Sequence, residues 1–153
     1  MILRTGDMWT DSRADVILFT GNASVRADGA LVMGRGAALE AQTKFPGLSK
    51  RLGKLISSHT RTWGGPYGIF VDALLCPIIG VFQVKYRWAE KAEMNLIRYS
   101  TEKLTDLTQH VWSDRLIALN FPGTGFGRLK REDVLSIIKS LPDNVEIWER
   151  VSP

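Results

Sequence analysis

The sequence predicts an α/β domain with helices covering both faces of a central sheet. Strand-like and helix-like segments alternate along the chain, the pattern of a layered α/β fold. The strand-like segments are short unbroken apolar runs, as expected of strands buried on both faces. At 153 residues the chain fits one domain, residues 1–153, which would remove roughly 68–70% of its unfolded surface from water without a disulfide or metal.

Asp15 to Thr20 is the first apolar run, and Gly21-Asn22 stops it at a loop. Gly34 to Lys44 is rich in helix formers, and Pro46-Gly47 ends that helix. Leu48, Leu52, Leu55 and Ile56 recur at helical spacing in the next one. After the turn-rich stretch Trp63 to Gly68, Ile69-Phe70-Val71 and Ile78 to Val84 read as two strands joined near Cys76-Pro77. Glu90 to His110 predicts a long amphipathic helix with Met94, Ile97, Leu104 and Leu107 on one stripe. Leu116 to Phe121 is a further buried strand, Arg131 to Ser140 a helix, and Val145 to Glu149 a closing strand.

Composition narrows the class. With 44% hydrophobic and 24% charged residues, long disorder, collagen-like repeats and coiled coil are excluded. No apolar run approaches the ~20 residues that span a bilayer, so no membrane partner is expected. The first residues lack the charged-then-apolar order of a signal peptide. Cys76 is the only cysteine and His59 and His110 the only histidines, which argues against a zinc site and for a reducing, cytoplasmic setting. A monomer with no cofactor is expected. The net charge of +4 favours anionic partners without identifying a nucleic-acid binder. Lys44, Lys50, Arg51, Lys54 and Arg61 form one basic group, read first as a solvated helix face; Lys85, Arg87 and Lys91 form another.

Two glycine-rich segments each lie between a buried strand and a helix: Met33-Gly34-Arg35-Gly36-Ala37-Ala38, and Pro122-Gly123-Thr124-Gly125-Phe126-Gly127. Ligands of open α/β sheets sit at the carboxyl ends of strands, where helix N-termini aim N–H groups at anions. Glycine there lets backbone approach a diphosphate and form an N–H concavity. Either loop alone reads equally well as a plain turn, but the pair in matching positions points to a pyrophosphate clamp. The dinucleotide fingerprint, the P-loop and the nucleophile elbow are all missing.

Gly6-Asp7, the strand ending in Asn22, Met33 to Ala38 with Lys44-Phe45-Pro46, and Pro122 to Gly127 resemble the macrodomain family. Phe82 to Trp88 with Lys91 makes the DarG-like and TARG-like ADP-ribosyl glycohydrolases the most similar subgroup. The resemblance runs from Gly6 to about Glu149 and implies a three-layer α/β/α sandwich with a mixed sheet and ADP-ribose, or an ADP-ribosylated substrate, in a cleft. It also implies a role for each matching residue. Asp7 would accept from the adenine amino group, and Asn22 would hydrogen-bond the distal ribose. The Gly34–Gly36 helix start and the Gly123, Thr124, Gly125 and Gly127 loop would hold the diphosphate. Phe126 would line the ribose pocket, with core packing as its equal alternative.

Lys85 from the sequence alone reads as a solvated strand-end charge. The subgroup implies instead a nucleophile at the distal ribose C1″. An ordinary lysine of pKa about 10.4 is neutral in only roughly 0.04% of molecules at pH 7. Burial with Arg87 and Lys91 nearby is expected to lower that pKa to about 8.5 or below.

Two departures stand out. The stretch Ala23 to Val32 is longer than in DarG-like relatives and is expected to reshape substrate entry. The aspartate that follows the late glycines in TARG-like relatives is missing from Gly127-Arg128-Leu129, as it is in DarG-like ones. The general acid or base is then unassigned, with Asp28 a candidate and a solvated turn its plain reading. The leading expectation is a hydrolase removing ADP-ribose from a macromolecule, a DNA base or a protein side chain. Nucleic acid is a possible partner there, with Trp88 or Trp63 stacking on a base and rim or core packing as their plain reading. The alternatives are an enzyme on small derivatives such as ADP-ribose 1″-phosphate, and a binding module without chemistry.

Overall fold

The computed structural model describes residues 1–150. Its elements run β1 (Ile2–Thr5), α1 (Met8–Asp11), β2 (Val16–Asn22), α2 (Gly36–Lys44), α3 (Leu48–Ser58), β3 (Ile69–Asp72), β4 (Ile78–Lys85), α4 (Met94–Gln109), β5 (Ile117–Asn120), α5 (Arg131–Ile138) and β6 (Val145–Glu149). The strands form one sheet in the order β1-β6-β5-β2-β4-β3. Every neighbouring pair is parallel except β3 with β4, so the sheet is mixed.

Side chains alternate across this sheet, which creates two cores. Val16 and Leu18 of β2, with Ile117, Leu119 and Ile147, pack beneath α4 and α5 through Ile97, Leu104, Val134 and Ile138. Ile17 and Phe19, with Ile79, Val81 and Ala118, face α2 and α3 through Ala38, Ala41, Leu52 and Ile56. Both faces of β2 are therefore buried, which is why it reads as a continuous apolar run.

Four local differences from the sequence reading have physical reasons. β1 and α1 carry no apolar run: β1 is an edge strand with three of four residues exposed, and α1 is a single turn. The long helix α4 begins at Met94 rather than Glu90. There the backbone N–H of Ala92 donates to Gly127 (3.1 Å) and that of Glu93 to Val84 (2.9 Å), holding this stretch out of the helix. The helix after the first glycine segment starts at Gly36, not Gly34.

The fourth concerns the long stretch after Asn22, expected to reshape substrate entry. It folds into a small hairpin with a bridge between Val25 and Leu31 and docks on α3. The Leu31 N–H donates to Ser49 at 2.8 Å, Ala30 and Leu31 are buried, and α3 presents Gly53 where any Cβ would overlap the Gly29 carbonyl. None of residues 23–33 lines the main cavity. The first basic group lies on and around α3, where Arg51 pairs with the buried Asp72 and the other four residues are exposed.

Candidate active site

A cavity of about 690 Å³ opens at the carboxyl ends of β2, β4 and β5, within the range of small-molecule sites. Asn22, Lys85 and Asn120, the last residues of those strands, line it. Register brings the first two together. The β2–β4 ladder runs evenly to Gly21 opposite Gln83, then skips Val84 so that Asn22 stands opposite Lys85. Asn120 extends the β2–β5 contact beyond Leu18 and Leu119. Its Oδ1 accepts from the Thr20 N–H at 2.9 Å, and its Nδ2 donates to the Thr20 hydroxyl at 2.8 Å.

The first glycine segment forms one lip of the cavity. Arg35 is the cap residue of α2 and makes no side-chain cap, so the first N–H groups of that helix face the cavity unpaired by any cap. A Cβ on Gly34 would meet nothing within 4 Å, and one on Gly36 only the Phe126 ring at 3.9 Å. Gly36 has φ +59°, a conformation that favours glycine.

The opposite lip is the second glycine segment. It closes on itself through Leu129 N–H donating to Gly123 (2.9 Å) and Arg128 N–H donating to Gly125 (3.2 Å). Gly123, Thr124, Gly125, Phe126 and Gly127 all line the cavity. Phe126 is more than half exposed, so core packing is not its role; the Arg35 guanidinium lies 5.1 Å from its ring centroid and joins the two lips.

Besides Arg150, which pairs with Glu40, three cations converge on this cavity. Lys85, Arg35 and Arg128 line it, and none is in an ion pair among the described residues. Partial burial pushes the Lys85 amine below the ordinary lysine range, and the positive charges of Arg128 and Arg35 push it further. The expected direction holds, but the neighbours are these arginines rather than Arg87 and Lys91. Arg87 instead leans on Glu90 at 3.8 Å. Arg35 and Arg128 were missed as site residues because glycines draw attention to backbone; an arginine inside each glycine segment was the available signal.

Asn22 is buried, and part of its amide is already used. Its Nδ2 donates to the Val32 carbonyl (3.0 Å) and its Oδ1 accepts from the Ser24 N–H (2.8 Å). One N–H and one oxygen lone pair remain for a ligand. Asp7 stands apart from the other predicted residues. Gly6, Met8 and Trp9 line the far end of the cavity, but Asp7 does not. Its carboxylate caps α1 by accepting from the Trp9 N–H at 2.8 Å, with the Arg150 guanidinium 3.7 Å away.

Asp28 sits at the exposed hairpin tip, accepts from the Ala30 N–H and is outside the cavity. The carboxylates that do line the cavity are Glu40, Glu90 and Glu149. Arg150 holds the first and Arg131 the last, while Glu90 has only the long contact to Arg87. Of the two tryptophans weighed for stacking, Trp88 lines this cavity and Trp63 a smaller one.

No protein-family model matches the sequence, and no curated protein does. Solved structures do match. The macrodomain of Thermus aquaticus DarG superposes with a TM-score of 0.71 at 24% identity, covering 99% of each chain. The macrodomain of Mycobacterium tuberculosis DarG gives 0.74 at 24% identity, over 96% of this chain and 95% of its own. Thermosipho africanus DarTG in complex with ADP-ribose gives 0.76 at 18% identity, over 99% of this chain and 43% of its own. With its sheet order, its two glycine lips and these superpositions, the chain has the macrodomain fold.

Proposed function

We propose that this domain binds ADP-ribose in the main cavity and removes an ADP-ribosyl group from a macromolecule. The observation that carries the reading is the register pairing of Asn22 with Lys85 in a cavity whose two lips are glycine-rich backbone. The diphosphate lies between the α2 N-terminus and the second glycine segment, where N–H dipoles and the guanidinium groups of Arg35 and Arg128 meet its charge. The distal ribose lies against Asn22 and Phe126, and the adenine end runs toward Gly6 and Trp9. Asp7 caps α1 through Oδ1, and its Oδ2, with only the 3.7 Å contact to Arg150, is left to accept from the adenine amino group.

Lys85 is the nucleophile of this proposal. The neutral amine attacks C1″, and the bond from C1″ to the carried group breaks. The electron pair leaves with that group, which takes up a proton. The ammonium formed on Nζ loses a proton; water then attacks C1″, the C1″–Nζ bond breaks with its electron pair on nitrogen, and the proton from water goes to Nζ, which releases free ADP-ribose and the neutral lysine. Glu90, the lining carboxylate least engaged by a cation, is the proton carrier.

Calorimetry with ADP-ribose, paired with turnover of an ADP-ribosylated oligonucleotide and an ADP-ribosylated peptide, tests this. Lys85→Ala is expected to keep ADP-ribose affinity within a few-fold and to lower turnover at least about a hundredfold. Asn22→Ala is expected to weaken binding. Full turnover in Lys85→Ala overturns the mechanism, and no heat from the wild type overturns the binding site. The three unpaired cations also suit a smaller substrate with an added phosphate, ADP-ribose 1″-phosphate. Faster turnover of that compound than of either macromolecular substrate would favour this second reading.

A further inference from the structure

A second cavity of about 290 Å³ lies beside β3, lined by the C-terminal end of α3 and the middle of α4. His59, Trp63, Tyr67, Phe70, Tyr99 and Lys103 line it. Its volume is just below the usual range for small-molecule sites and suits one planar ring system. Trp63 at its rim is 99% exposed, so none of the described residues covers the indole.

The two cavities are linked. Tyr67 of the second cavity packs edge-on against Tyr86, with ring centroids 5.1 Å apart. Tyr86 directly follows Lys85, and Trp88, 61% exposed, lines the first cavity. Four exposed aromatic side chains thus form a series that includes both cavities, with Trp88 in the first, Trp63 and Tyr67 in the second, and Tyr86 in contact with Tyr67. Cations flank the series. Lys103 Nζ lies 5.4 Å from the Tyr99 ring and no carboxylate pairs with it among the described residues; Arg61, two residues before Trp63 in the chain, is likewise exposed without an ion pair among them, while Arg87, next to Trp88, has the 3.8 Å contact to Glu90.

Flat rings left in water and accompanied by unpaired positive charge suit a chain of planar groups joined by anionic links. The exposed large apolar residues that line this cavity, Trp63 and Tyr67, are both aromatic, and Lys103 beside them supplies the positive charge that anionic links require. We propose that the second cavity is a stacking subsite for an unpaired nucleobase, on the same strand as the group presented to Lys85. Trp63 and Tyr67 supply ring faces, and Lys103 meets a phosphate. Stacking between base pairs in a duplex would hide the base faces these rings need, so the strand is single. The inference rests on the reading of the first cavity as a site for an ADP-ribosyl group carried by a macromolecule.

The test is fluorescence anisotropy with a dye-labelled, unmodified, mixed-sequence single strand of about a dozen nucleotides. It compares wild type, Trp63→Ala and Lys103→Ala, with calorimetry of ADP-ribose run on each. Trp63→Ala removes a side chain that is wholly in solvent, so the fold is unaffected. It is expected to weaken the oligonucleotide about tenfold and leave ADP-ribose affinity unchanged. Lys103→Ala is expected to reduce the slope of log affinity against log salt by about 0.7. A duplex of the same sequence is expected to compete poorly.

Wild type that binds ADP-ribose but not the oligonucleotide overturns the subsite, and so does oligonucleotide affinity identical in wild type and Trp63→Ala. Wild type that fails to bind ADP-ribose, yet holds the oligonucleotide through Trp63, overturns the reading of the first cavity and leaves the stacking subsite standing.

Discussion

The two glycine segments look alike in sequence and are built on opposite principles. In the first, Gly34 and Gly36 are exposed, and added methyl groups would meet nothing closer than 3.9 Å. In the second, Gly123 and Gly127 are buried. A Cβ on Gly123 would stand 2.8 Å from Ile97 and 3.0 Å from Leu129, and one on Gly127 would stand 2.9 Å from the Ala92 side chain. The first segment keeps its surface bare toward the cavity, as Gly125 does in the second, whereas Gly123 and Gly127 are bare because the protein behind them leaves no room. Glycine serves access in one lip and chiefly packing in the other.

Substitutions can break that contrast. The largest effect is expected for Gly127→Ala, which drives a methyl group into Gly123 and Ala92. Overpacking of this kind costs about 1–3 kcal/mol and should lower the Tm by several degrees in thermal unfolding. A variant as stable as wild type would show that the second lip has slack. Next in size is Gly34→Val. Its stability should stay within about 0.5 kcal/mol of wild type, while ADP-ribose affinity measured by calorimetry should fall about tenfold. Unchanged affinity would remove the first lip from the binding site.

The smallest effect sharpens the link between the second lip and the amine. Arg128→Ala removes the neighbouring positive charge that acts more strongly on Lys85, so the amine holds its proton to higher pH. Turnover should rise with pH as the neutral amine appears, and the variant's inflection should lie above that of wild type. The same depressed Lys85 pKa makes stability rise with pH between the folded value and the ordinary lysine value of 10.5, because the unfolded chain binds more protons there. Arg128→Ala should flatten that rise. An inflection that stays put, or moves down, separates Arg128 from the amine.

Much of this was legible in the sequence, and the exceptions have common causes. The strands β2, β4 and β5 were readable because each is covered on both sides, and α2 and α3 because helix formers end at Pro46-Gly47. β1 was invisible because an edge strand in this sheet needs few apolar residues. The start of α4 was misread because long-range backbone bonds from Ala92 and Glu93 hold an otherwise helix-compatible stretch extended.

In the site, the glycines and Lys85 announced themselves by type and position. The pairing of Asn22 with Lys85 did not, since it depends on a one-residue skip at Val84 that no local pattern encodes. Nor did the role of Asp28 or of the long hairpin. Whether a loop covers a cavity or lies on a helix is decided by contacts such as Leu31 with Ser49, far apart in sequence.

That hairpin has one more effect, through its root. The Ala23 N–H donates to the Lys85 carbonyl at 3.1 Å, and the Ser24 hydroxyl accepts from the Trp88 N–H at 3.1 Å. The segment bearing the amine is thus clamped at both ends by a neighbour already anchored to α3. Its conformational freedom is surrendered when the chain folds, not when a nucleotide arrives, so association there carries little penalty for freezing backbone.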